Sequence, residues 1–139
     1  MPRPARRRLA AAILLVAIIA VGLAVHRWAP PTAASDIAGD VLYALAAYTG
    51  LVLLFPRPRP WIVGIAAAAW CVAVELFQLT GLPERIGAAF RPAMLLLGTV
   101  FDPRDLLAYV AAVGADVAVD AALIAMRRRS SRAPARAQP

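Results

Sequence analysis

Four apolar runs constrain this chain more than anything else in it: residues 9–25, 37–55, 61–80 and 105–126. About 20 predominantly apolar residues make a membrane-crossing helix, and four such runs take up most of the 139 residues. Hydrophobic residues form 62% of the sequence, against about 45–50% in soluble domains. The expected fold is an all-α membrane protein with four transmembrane helices in one domain, residues 1–126. A disordered basic tail is expected over 127–139, because RRRSSRAPARAQP is too polar and too broken to fold alone.

The connections are short. MPRPARRR (1–8) leads into the first run. A secretory signal has an apolar core of about 7–15 residues before a small-residue cleavage site; PTAAS (31–35) could serve as that site, but later runs hold the chain in the membrane anyway, so an uncleaved first helix is preferred. HRWAPPTAASD (26–36) is a turn, with Trp28 at the interface and Ser35 or Asp36 as helix N-cap. FPRPRP (55–60) separates the second and third runs, and GLPER (81–85) ends the third. The stretch 86–100 has only 15 residues and contains Arg91 and Pro92, so a short re-entrant or interfacial helix is expected there. In FDPRD (101–105), Asp102 as N-cap and Pro103 at the first helical position start the last helix.

The net charge of +7 comes from arginine alone, since the chain has no lysine. The arginines lie at the ends of the apolar runs, which marks topology rather than a nucleic-acid surface. Arg3, Arg6, Arg7, Arg8, Arg57, Arg59, Arg127, Arg128, Arg129, Arg132 and Arg136 fall on one side of a four-span arrangement; Arg27, Arg85, Arg91 and Arg104 fall on the other. Positive charge marks the cytoplasmic side. Both termini are therefore expected in the cytoplasm, with the protein in a bacterial inner membrane.

Acids inside membrane spans are costly and are functional candidates by default. Asp40 lies roughly 6 Å into the second helix, four residues past Asp36, and Glu75 roughly 9 Å from the end of the third. Asp105 opens the fourth. Glu75 and Gln78, and Asp40 and Tyr43, sit three apart on shared helix faces. The expected site is Asp40, Tyr43, Glu75, Gln78, Arg91, Asp105 and Tyr109, near the outer face, with Glu75 as the candidate catalytic base. For Asp40 and Asp105 a second reading stands, stabilisation of helix N-termini. Tyr43 and Tyr109 also suit an interfacial aromatic belt. Asp116 has no evident partner, Asp120 near the terminal arginines reads as structural, and His26 as interfacial. Cys71 has no second cysteine to pair with and reads as a small buried residue. No metal set, phosphate loop or nucleophile beside a histidine is present in the sequence, so no cofactor is expected.

GDVLYALAAY (39–48), ELFQ (75–78), RPAMLLLGTVFD (91–102) and DLLAY (105–109), in that order, resemble a family of small bacterial membrane proteins described only as a domain of unknown function. Some of its members carry a ribosome-maturation label. The same order is more distantly similar to the VanZ-like family, whose name is tied to tolerance of a glycopeptide antibiotic acting at the cell envelope. The resemblance covers about residues 37–120 and carries over the seven positions above; it departs at Ala112 and Asp116, where small glycines are usual. It implies a place at the cell envelope. The outward polar cluster is expected to bind or modify an envelope amphiphile, such as a lipid-linked cell-wall precursor, with the carboxylates and Arg91 holding its polar or phosphorylated headgroup. The alternatives are a non-catalytic scaffold, or a small proton-coupled transporter that would need to oligomerise.

Overall fold

The chain is all-α in a computed structural model that describes residues 3–98 and 100–130. The order is α1 (Arg3–Trp28), α2 (Ala33–Leu54), α3 (Pro60–Gln78), α4 (Leu82–Ala89), a 3-10 turn (Arg91–Ala93), α5 (Met94–Leu97) and α6 (Pro103–Ser130). No strand occurs among the described residues. Helices α1, α2, α3 and α6 are each long and apolar enough to cross a membrane.

Helix ends follow from local chemistry. At the start of α2 the cap is Thr32, not Ser35 or Asp36. The Thr32 side chain accepts from the Ser35 backbone, and the Ser35 side chain accepts from the Thr32 backbone. That reciprocal pair satisfies two N–H groups at once, which a single cap at Ser35 cannot do. Helix α3 opens with Pro60 at its first position. Helix α6 starts as the FDPRD pattern predicts: Asp102 Oδ1 accepts from the Arg104 backbone at 2.8 Å, and Pro103 is the first helical residue.

The long helices outrun the apolar runs. Helix α6 has 28 residues, about 42 Å at 1.5 Å per residue, against roughly 30 Å of hydrocarbon. Its last turn contains Arg127, Arg128 and Arg129, where cations suit the negative end of the helix dipole. Residues 127–130 thus continue α6 instead of starting a disordered tail; residues 131–139 lie outside the described residues.

Helices α2, α3 and α6 pack against one another, and α1 lies along α2. Each core helix contributes one narrow buried stripe: Ala44, Tyr48 and Val52 from α2, Val63, Ala67 and Cys71 from α3, Tyr109, Ala112 and Val113 from α6. The steps of three and four residues are those of one helix face. Lipid is as apolar as leucine, so close packing by small residues has to hold such helices together. Gly64 shows this directly, since a Cβ there would collide with Val117 of α6. The segment between α3 and α6 does not cross. Its α4 has eight residues, about 12 Å, and the segment folds back over the ends of α2 and α3. Two glycines with left-handed φ flank it, Gly81 and Gly98.

Candidate functional site

Three helices deliver the polar residues to one place. In α3, Glu75 and Gln78 continue the buried stripe of Val63, Ala67 and Cys71. In α6, Asp105 and Tyr109 are one turn apart; in α2, Asp40 and Tyr43 are three residues apart. Each pair therefore projects from the inward face of its helix near one end of the bundle.

Glu75 is the centre. It is fully buried, and Tyr109, itself buried, donates its hydroxyl proton to Glu75 Oε1 at 2.9 Å. The Gln78 amide also approaches Oε1, at 3.4 Å, and donates to the Leu97 carbonyl at 3.0 Å. The Asp102 backbone N–H also faces the Glu75 carboxyl. Two buried acceptors, Glu75 Oε2 and Gln78 Oε1, meet no partner at hydrogen-bond distance among the described residues. Above Glu75, the half-buried carboxyls of Asp40 and Asp105 lie close enough to interact directly, and both act electrostatically on or with Glu75. The Tyr43 ring packs on Tyr109, with centroids 6.0 Å apart.

The α4–α5 segment covers the cluster through its backbone. Tyr43 donates to the Leu96 carbonyl at 2.9 Å, next to the carbonyl that Gln78 holds. Trp70 Nε1 donates in turn to the Tyr43 hydroxyl at 2.9 Å. Gly98 follows at φ 63°, ψ −165°, a region open essentially to glycine alone, and a Cβ there would strike the Gln78 amide. Sequence reasoning missed Trp70, Gly98 and the two carbonyls. The glycine after three leucines in MLLLG was the one signal that could have pointed to a close backbone approach.

Six of the seven expected site residues come together. Arg91 does not: it lies exposed on the 3-10 turn, and among the described residues no ion pair joins it to the acids. The cluster is covered on that side by the Leu96 and Leu97 carbonyls. The site is rich in acceptors, and among the described residues no ion pair joins a cation to it. Among the described residues no group of three or more histidine, cysteine or acidic side chains is arranged to hold a metal ion.

A second polar cluster lies at the other end of the bundle. Arg7 of α1 forms an ion pair with Asp120 of α6, and Tyr48 of α2 donates to the same Asp120 oxygen at 2.9 Å. Arg7 also donates to the carbonyls of Pro56 and Pro58, at 2.9 and 2.8 Å, in the α2–α3 connection. Arg8 donates to the carbonyls of Leu53 and Leu54, which end α2 without helical partners. Arginines expected to act as topology marks thus also fasten α1 to α2, α6 and the connecting loop. Asp116, one turn above Asp120, keeps its Oδ2 buried without a hydrogen-bond partner among the described residues.

Comparison with family models matches residues 29–115 to a family described as a protein of unknown function, DUF2809. That span holds the whole of α2 and α3, the α4–α5 segment and the first half of α6. The chain belongs to this family. All seven expected site residues fall inside the matched region, whereas α1 and Asp120 fall outside it. Comparisons with curated proteins and with solved structures give no match.

Proposed function

We propose that this DUF2809 protein binds the polar headgroup of a membrane amphiphile in the acidic cluster between α2, α3 and α6. The observation that carries the reading is Glu75, a fully buried acid on a membrane-crossing helix with one carboxyl oxygen unpartnered. A polar group so placed is rare in a span and marks a ligand or ion path. Asp40 and Asp105, half-buried above it, form the mouth of the site. Tyr43, Gln78 and Tyr109 order its walls. If binding leads to chemistry, Glu75 is the group that accepts a proton from the bound headgroup.

The distribution of arginine supports a bacterial inner membrane with both termini in the cytoplasm, which turns the acidic cluster outward. The likeness in motif order to VanZ-like proteins supports an envelope amphiphile, such as a lipid-linked cell-wall precursor, as the occupant. An apolar layer favours binding over proton transport: by register, Ala44, Ala67, Cys71, Ala112 and Val113, all buried, separate the Glu75 cluster from Asp116 and Asp120. Only the Thr49 hydroxyl and the Cys71 thiol, both buried, interrupt that layer among the described residues, and no acid lies within it to carry a proton across.

Native mass spectrometry of the protein, gently extracted from its own membrane beside Glu75→Gln and Asp116→Asn, tests the reading. A discrete lipid on the wild type and on Asp116→Asn, lost from Glu75→Gln, is expected. Equal lipid on all three would reduce Glu75 to a helix-joining residue.

A further inference from the structure

Resting on that reading, we infer that the headgroup bound at Glu75 carries a primary amine, held as an ammonium by hydrogen bonds from its three N–H donors. The inference comes from what the cluster lacks. Its unfilled hydrogen-bonding positions are acceptors: Glu75 Oε2 and Gln78 Oε1, both buried and unpartnered. The Gln78 oxygen is independent of the acids. Its amide nitrogen already faces two acceptors, Glu75 Oε1 and the Leu97 carbonyl, so the orientation of the amide is set and the oxygen is the free end.

Buried polar groups are normally satisfied, and leaving one unmade is expensive. A ligand that presents acceptors, such as a phosphate, would add to the deficit and meet Asp40, Glu75 and Asp105 with like charge. The one basic residue expected to offset this, Arg91, stands outside on the 3-10 turn. A hydroxylated headgroup supplies donors but leaves three acids without an opposite charge. A protonated amine supplies both. Its three donors are what Glu75 Oε2 and Gln78 Oε1 lack, its charge is what the Asp40 and Asp105 carboxyls lack, and ammonium-to-carboxylate hydrogen bonds are among the strong ones. A trimethylammonium group has the charge but no donor, so it separates hydrogen bonding from charge alone.

The test uses the full-length protein in nanodiscs and reads binding by native mass spectrometry, with phosphatidylethanolamine, phosphatidylcholine, phosphatidylglycerol and free ethanolamine as probes. The expected result is phosphatidylethanolamine retained about tenfold more strongly than the other two lipids. That preference should disappear in Glu75→Gln and weaken in Asp105→Asn, with thermal melting of each variant showing that it is folded. Equal retention of phosphatidylglycerol, still lost in Glu75→Gln, overturns the amine and leaves the amphiphile reading intact. Equal retention of phosphatidylcholine overturns donation by the headgroup as the basis of selectivity. Binding of free ethanolamine with no preference among lipids keeps the amine and overturns the amphiphile. No preference for any probe overturns both.

Discussion

The two ends of the α2, α3 and α6 core both hold acids, and they treat them differently. At the Asp120 end the acid has an arginine and a tyrosine on one oxygen, and the arginine goes on to hold two loop carbonyls. At the Glu75 end three acids share one tyrosine, one amide and the Asp102 backbone N–H, with no cation joined to them among the described residues. The first arrangement ties four segments together. The second leaves two buried acceptors open, a state that costs stability and that proteins keep where a site needs it. The Asp120 end is not perfectly satisfied either, since Arg7 Nε and Asp116 Oδ2 lack partners. The difference that matters is the opposite charge, present at one end and missing at the other.

That contrast is breakable by substitution. Arg7→Ala should have the largest effect, because it strands Asp120 and releases the Pro56 and Pro58 carbonyls together. The pair is only partly buried, so the loss is below that of a fully buried pair, about 2–3 kcal/mol for charge-assisted hydrogen bonds, to be read as a fall in thermal unfolding temperature in detergent. Replacing the pair jointly, Arg7→Met with Asp120→Leu, should recover most of the loss, since apolar substitutes avoid the desolvation of two charges. Failure to recover would mean that the loop carbonyls, not the ion pair, dominate.

Gly98→Ala comes next. The φ and ψ there are those of glycine, and the added methyl meets Gln78. Strain of this kind costs about 1–3 kcal/mol, and the Gln78 contact with Leu97 should be lost with it. Faster hydrogen exchange over α4–α5, with α2 and α6 unchanged, is the expected signature; an unchanged segment would remove Gly98 from the site. Tyr43→Phe should have the smallest effect, about 1 kcal/mol for two hydrogen bonds of about 0.6 kcal/mol each within a membrane. It releases both the Leu96 carbonyl and Trp70 Nε1, so a shift in tryptophan fluorescence should accompany it.

The helices were legible because periodicity and charge report on lipid. Runs of apolar residues ended by arginine or proline predict four spans whatever their neighbours are. The pairings Asp40 with Tyr43, Glu75 with Gln78, and Asp105 with Tyr109 were legible for the same reason, as short helical steps within one element. What the sequence hid is contact between elements. Arg7 meets Asp120 across 113 positions, and nothing local distinguishes it from Arg6 or Arg8. The roof over the site is made of the Leu96 and Leu97 carbonyls, and any residue type carries a carbonyl. Arg91 is expected in the cluster because its segment lies at the outer ends of the spans, within reach of the acids; the structure leaves it exposed on a 3-10 turn, which no periodicity announces.

The most direct test of the contrast is a single pair of melting curves: Glu75→Gln and Asp120→Asn in the same detergent, each against wild type. Both exchanges turn an acid into an amide of the same shape. The account predicts opposite outcomes, with Asp120→Asn melting clearly lower for loss of its ion pair, and Glu75→Gln melting at or above wild type because it removes an uncompensated buried acid and adds a donor. Equal destabilisation by the two would contradict it, and would make Glu75 a structural fastening like Asp120.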